Sequence, residues 1–176
     1  MSKKYSDVMV DLETLGLSRV SAPIIQCAMV AFNKDEIGPA LDMRFNMATQ
    51  DDREVEPETA AWWKRQDPEV LKHVFSGSAD LNDLPAAIHD FFAEHATPTV
   101  RVWAKSPSFD LELLNNLGRQ KRRVMPWKYW AERDVRTAEH MVGANTEPNA
   151  SKHDALADCK HQIVVAQRFL AVALPD

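Results

Sequence analysis

The sequence predicts an α/β fold in which a mixed five-stranded sheet is flanked by helices. Apolar runs of strand length crowd the N-terminal part, helical spacing takes over from residue 58, and later strand-like runs alternate with helical ones. Residues 5–12 (YSDVMVDL) alternate and then run apolar, and residues 24–32 (IIQCAMVAF) form a second run rich in β-formers, each bounded by turn residues. Residues 41–47 alternate weakly and extend the pair into an antiparallel meander. Residues 58–66 and 68–75 read as helices, and residues 81–95 repeat apolar side chains at helical spacing behind Asp80 as N-cap. Residues 99–104 read as a strand, 109–117 as a helix and 129–134 as a short strand. Residues 135–142 form a helix capped by Asp134 and stopped by Gly143. Residues 143–151 are a loop, and residues 153–174 close the chain as a long helix with Ile163, Ala166, Gln167 and Leu170 on one face.

The chemistry begins at the end of the first strand. Asp11 and Glu13 are two residues apart, so in extended geometry both point to one face of the sheet. Two adjacent carboxylates repel, and Mg²⁺ supplies the missing charge through the hard oxygen ligands it prefers. The same Asp-x-Glu pattern recurs at Asp52, Asp67 and Asp110, but only the first pair ends an apolar strand and is followed by a turn, Thr14-Leu15-Gly16. An ordinary solvated strand end is the competing reading.

His153 and Asp158 stand five apart at the start of the last helix, about 140° apart around an ideal one, and so cannot face one site from its interior. A loosened first turn with Ser151 as cap would bring them together. Asp154, four residues before Asp158, competes for the role and otherwise compensates the helix dipole. Asp110 follows a strand and a Ser-Pro-Ser-Phe connection, at the mouth of the sheet where a helix begins; dipole compensation is its plain alternative. Trp62 and Trp63 are neighbours on a helix, about 100° apart, so one packs inward while the other is free to stack on a base, unless both are structural.

Taken in order, Asp11-Leu-Glu13-Thr14, Ser108-Phe109-Asp110 and His153-Asp-Ala-Leu-Ala-Asp158 resemble the histidine-bearing branch of the DEDD, or DnaQ-like, exonucleases. DLETLG, Trp62-Trp63 with Gln66, WAKSPSFD and RDVRT are similar to its bacterial and phage 3′→5′ exoribonuclease-like subgroup. Lys105, Ser106 and Pro107 depart from the Asn or Gly that many relatives carry before Phe-Asp. The resemblance implies an RNase H-like fold and two Mg²⁺ or Mn²⁺ ions held by Asp11, Glu13, Asp110 and Asp158, clamping the attacking and leaving oxygens of a phosphodiester. It implies His153 as general base, a residue type that takes up protons near neutral pH. Thr14, Leu15, Trp62, Trp63, Gln66 and Phe109 would line the substrate, and nucleoside 5′-monophosphates would leave a free 3′ end. A homodimer fits the same relatives.

Composition sets the outer limits. With 176 residues and 45% apolar content the chain supports one core and reads as one exonuclease domain over residues 1–176. No apolar stretch is long enough to span a membrane and the first residues lack the apolar run of a signal peptide, which together imply a cytoplasmic protein. Cys27 and Cys159 form neither a disulfide framework nor a metal pattern and read as packed thiols. A formal charge of −5 argues against a simple nucleic-acid binder, yet setting aside four metal-ligand candidates from 26 acids leaves 22 against 21 bases. Arg119, Lys121, Arg122 and Arg123 form a basic run that either attracts a phosphate chain or is a solvated helix end. A DNA-directed exonuclease and an inactive nucleic-acid-binding module are the rival functions, since no residue specifies recognition of a 2′-hydroxyl.

Overall fold

The structure, a computed structural model, describes residues 3–149 and 151–174. Strands β1 (Tyr5–Thr14), β2 (Ile24–Phe32) and β3 (Ile37–Arg44) form an antiparallel meander. Helices α1 (Pro57–Trp63) and α2 (Pro68–Val74) follow, then a 3₁₀ turn at Leu81–Asp83 that runs into α3 (Leu84–His95). Strand β4 (Ala96–Ala104), helix α4 (Asp110–Gln120), β5 (Glu132–Asp134), α5 (Val135–Val142) and α6 (Ala155–Ala173) complete the order. The sheet runs β3-β2-β1-β4-β5, with β4 parallel to β1 and β5 parallel to β4.

Alternation along β1 assigns the two faces. Val8, Val10 and Leu12 join the core beneath α3 and α4, whereas Met9 joins the core against α5 and α6. Asp7, Asp11 and Glu13 continue the Met9 row, so the acids are aimed at the layer that carries α6. Cys27 and Cys159 are buried free thiols, one in each core.

Several expected boundaries shift: the strand expected over residues 129–134 is a 3₁₀ turn at Tyr129–Ala131 followed by β5, and three others shift for physical reasons. The third strand begins at Ile37 and ends at Arg44, while Met47–Thr49 forms a 3₁₀ turn. Gly38 and Pro39, which argue against a central strand, are tolerated at the sheet edge. Gly38 also lies so close to the Tyr5 ring that an added Cβ would come within 2.4 Å of it. The helix expected over residues 81–95 starts as the 3₁₀ turn capped by Asp80, with Pro85 in the first turn of α3. The last helix starts at Ala155 with Asp154 as its cap, replacing His153 and Ser151 in those roles. Residue 150 of the loop before it lies outside the described residues. Among the described residues no helix is long and apolar enough to cross a membrane.

Candidate active site

Asp11 and Glu13 leave β1 opposite Ala28 and Gln26 of β2, side by side on the α6 face. Helix α6 brings Asp158 against them, and carboxylate oxygens of Asp11, Glu13 and Asp158 lie within 4.8 Å of one another. Asp110, at the first turn of α4, is buried close by. Backbone N–H groups of its own residue, Leu12 and Ser106 lie close enough to favour its charge, and it stands outside the tight group of three.

The electrostatics of this arrangement are unfavourable without a cation. Burial, then the charges of Asp110, Glu13 and Asp158, push the Asp11 carboxyl well above its ordinary range. Burial, then the charges of Asp158, Asp110 and Asp154, push Glu13 up to about 8. Asp110 is pushed up to about 7 by burial, against the opposing pull of its backbone hydrogen bonds and of the Arg136 charge. Asp158 is raised by burial, against the opposing hydrogen bonds of Asn149 and of the His153 N–H. Clustered hard oxygen donors that repel one another while protein surrounds them fit a divalent cation such as Mg²⁺ or Mn²⁺.

His153 stands outside α6 with φ of 63°, a conformation a non-glycine residue adopts at a cost of about 1–3 kcal/mol. This turn removes the angular conflict inherent in five-residue spacing, because His153 is no longer on the helix. Its ring meets Trp62 edge-on, with centroids 4.7 Å apart. Asp154 holds the turn from the other side. Its carboxylate caps the Ala157 N–H at 2.9 Å and pairs with His73 at 2.9 Å and Arg44 at 3.5 Å, while Gln26 accepts the Ala155 N–H at 3.1 Å. Burial works against its charge, but those hydrogen bonds and cations prevail and hold Asp154 below the usual carboxylate value.

The two tryptophans divide. Trp63 is buried and its indole donates to the Thr14 carbonyl at 2.9 Å, tying α1 to the end of β1. Trp62 is half-exposed and lines, with Glu13, Thr14, Leu17 and Thr59, a groove of about 400 Å³ that opens beside the acids. Leu15 is buried with Ile25 and Val74, and the exposed Leu17 lines the groove. The Gln66 amide donates to the Trp62 carbonyl at 2.9 Å, closing the end of α1. Phe109 is half-buried against the core under α4. Lys105 reaches across to Glu139 of α5 at 2.5 Å.

Two residues at the site escape a motif reading. Gln162, one helical turn after Asp158 and buried, donates to Asp11 Oδ1 at 2.9 Å, and its own Oε1 has no protein partner. A glutamine on the buried face of a helix, among Cys159, Ile163 and Ala166, is a legible signal. Asn149, from the preceding loop, donates to Asp158 Oδ1, and no sequence pattern marks it.

Comparison with known proteins places this geometry. The chain aligns over 98% of its length with the zinc-bound exonuclease I–single-stranded DNA complex of E. coli, at 17% identity and a TM-score of 0.71. It aligns over 98% with the E. coli exonuclease I complex with a dA16 oligonucleotide, at 16% identity and TM-score 0.70, and with exonuclease I of Methylocaldum szegediense, at 18% and 0.69. It spans 41%, 42% and 41% of those chains, so the shared feature is the fold, the RNase H-like one. No curated protein sequence matches. Residues 6–170 match the model of the 3′-5′ exoribonuclease Rv2179c-like domain, and the chain therefore belongs to that family of DnaQ-like 3′→5′ exonucleases.

Proposed function

We propose that this chain, as one exonuclease domain, hydrolyses phosphodiester bonds one at a time from the 3′ end of a nucleic-acid strand and releases nucleoside 5′-monophosphates. The observation that carries the reading is the meeting of Asp11, Glu13 and Asp158 within 4.8 Å, in a chain of the exoribonuclease family. Asp11, Glu13, Asp158 and, beside them, Asp110 would hold two Mg²⁺ or Mn²⁺ ions, which when bound would supply positive charge to offset that of the phosphate. The chain's own groups do the rest. His153 takes the proton of the attacking water as the new P–O bond forms and the P–O3′ bond breaks. Gln162 fixes the rotation of the Asp11 carboxylate. Trp62 offers a ring beside the groove for the terminal base.

RNA is the favoured polymer, supported by the family's description as exoribonucleases. DNA is the second reading, supported by the single-stranded DNA bound in the similar E. coli structures. Digestion of matched 5′-labelled and 3′-labelled RNA and DNA, with Mg²⁺ and with EDTA, tests both. A descending ladder from the 5′-labelled strand, dependent on the metal, is expected. Early internal fragments or cleavage of closed circles would identify an endonuclease instead.

A further inference from the structure

The connector between α4 and β5 differs in charge and exposure from the rest of the surface. Residues 121–131 (KRRVMPWKYWA) carry four cations and no anion, a local charge of +4 in a chain whose formal charge is −5. Glu132, the first residue of β5, is occupied, its Oε1 accepting from the Trp127 indole and from Asn115 of α4 at 3.3 Å each. Lys121, Arg122, Arg123 and Lys128 are exposed. Beside them Tyr129 and Trp130 are 82% and 63% exposed, with rings 5.0 Å apart and 84° to each other. An aromatic pair left in water forgoes the large area that such rings ordinarily bury, and exposure of this kind marks an interaction surface.

The segment is braced. The Arg123 N–H donates to the Gly118 carbonyl at 2.8 Å, and the connector passes so close to α4 that a Cβ on Gly118 would come within 2.4 Å of the Arg123 carbonyl oxygen. The Ala131 N–H closes the aromatic turn onto the Lys128 carbonyl at 2.8 Å, and Arg133 holds the Trp130 carbonyl at 2.8 Å. A groove of about 420 Å³ runs between the turn and β4, lined by Thr99, Arg101, Lys128, Trp130 and Arg133 over the buried Trp127. It lies at the sheet edge formed by β5, where β4 and β5 begin, and the parallel β1, β4 and β5 run from that end towards the acids. β5 is three residues, about 10 Å, long, and Arg136 just beyond it is close enough to act on Asp110.

We propose that this surface holds the single strand of nucleic acid upstream of the 3′ end, its phosphates on Lys121, Arg122, Arg123 and Lys128 of the connector and a base on Trp130; the inference rests on the exonuclease reading above. Rigid aromatic faces interleaved with cations are the chemistry that binds a single strand without reading its sequence. A second copy of the chain fits poorly, because a two-fold contact through this patch would set +4 against +4.

The test compares oligoribonucleotides of about 3 and about 15 nucleotides, at the short and long ends of single-strand sites. Binding is measured by fluorescence anisotropy in EDTA and cleavage with Mg²⁺. Trp130→Ala should weaken binding of the long strand about 5- to 150-fold. Lys128→Glu should lower the slope of log affinity against log salt by about 0.7. Cleavage of the short strand should be unchanged in both variants. Unchanged long-strand binding, or equal loss on short and long strands, overturns the surface. So does a wild type that sediments as a dimer and becomes monomeric on Trp130→Ala. If the wild type cuts neither strand, the exonuclease reading fails, and the anisotropy series still decides whether the surface binds nucleic acid.

Discussion

Asp7 and Asp11 stand on the same strand and the same face, and the fold treats them oppositely. Asp7 is fully buried and satisfied: Arg101 donates to its two oxygens at 2.7 and 2.6 Å, the Trp103 indole donates at 2.8 Å and the Ser6 hydroxyl at 2.6 Å. Those donors other than Ser6 come from β4, because Asp7 pairs with Arg101 and Met9 with Trp103. Just past the end of β4 the next cation, Lys105, is drawn away to Glu139. Asp11 is left with one neutral donor, Gln162, and faces Glu13, Asp110 and Asp158. A buried carboxylate matched by a cation of the same chain is structural, whereas carboxylates that crowd one another without a cation of the chain bonded to them are the arrangement that a cation from solution would neutralise.

The largest effect that sharpens this contrast is on activity. Asp11→Asn or Asp158→Asn should lower metal-dependent hydrolysis by about 10³-fold or more, because several kcal/mol of charge stabilisation goes with the metals. Asp7→Asn should leave kcat per folded molecule unchanged. His153→Ala should be about 10²- to 10⁴-fold slower while still binding metal, and its residual rate should rise with pH as hydroxide replaces the missing base. A kinetic pH series for these variants checks both. Full activity in Asp11→Asn would break the comparison.

Stability should separate the two acids by sign. Asp7→Asn leaves Arg101 facing a neutral partner and should cost about 3 kcal/mol, the lower end for a broken buried pair, since Arg101 is partly exposed. Asp11→Asn, in EDTA, removes repulsion and should raise the melting temperature. The pH dependence follows the same logic. Folded Glu13 and Asp110 hold protons to about 8 and about 7, whereas the unfolded chain releases them near pH 4. Between those values the folded state binds more protons, so metal-free stability should fall as pH rises from about 4 to about 8. Saturating Mn²⁺ or Mg²⁺ at about a hundredfold Kd should restore about 2.7 kcal/mol near neutral pH, and Asp11→Asn should lose most of that gain. Thermal melts across pH, with and without metal, would refute the acid cluster if the EDTA slope were flat in the wild type.

What the sequence makes legible follows from how local each determinant is. β2 keeps its expected bounds because an apolar run between Pro23 and Asn33 leaves no alternative, and α5 keeps its own because Asp134 caps Arg136 and Gly143 ends it at φ of 83°. The meeting of Asp11 with Glu13 is likewise contained in the period of a strand. The start of α6 is not, because Asp154 becomes its cap through Gln26, Arg44 and His73, partners from β2, β3 and α2 far away in the chain. His153 just before it takes a left-handed turn with its ring against Trp62, which spacing alone presents as a conflict. Gln162 is open to a reading of buried polar positions; Asn149 is not, because loop geometry alone carries it to Asp158.

The smallest expected effect tests the division between Trp62 and Trp63, which sequence leaves open and the fold decides by burial. Adjacent helical positions about 100° apart force one ring inward, and Trp63 takes that place with its indole on the Thr14 carbonyl. Trp63→Ala should therefore act through the fold, costing about 3–5 kcal/mol of stability and displacing the end of β1 that carries Glu13. Trp62 stands at the groove with one edge against His153. Trp62→Ala should spare the melting temperature and raise KM by the equivalent of about 1–3 kcal/mol, the worth of one stacked base. Because Trp62 also supports the His153 ring, a second effect is expected in kcat, and Trp62→Phe, which keeps a ring in place, should recover most of both. Measuring KM and kcat separately for Trp62→Ala, Trp62→Phe and Trp63→Ala distinguishes the roles. If Trp62→Ala lowers stability as much as Trp63→Ala and leaves KM alone, both rings belong to the core and the groove binds its base by other means.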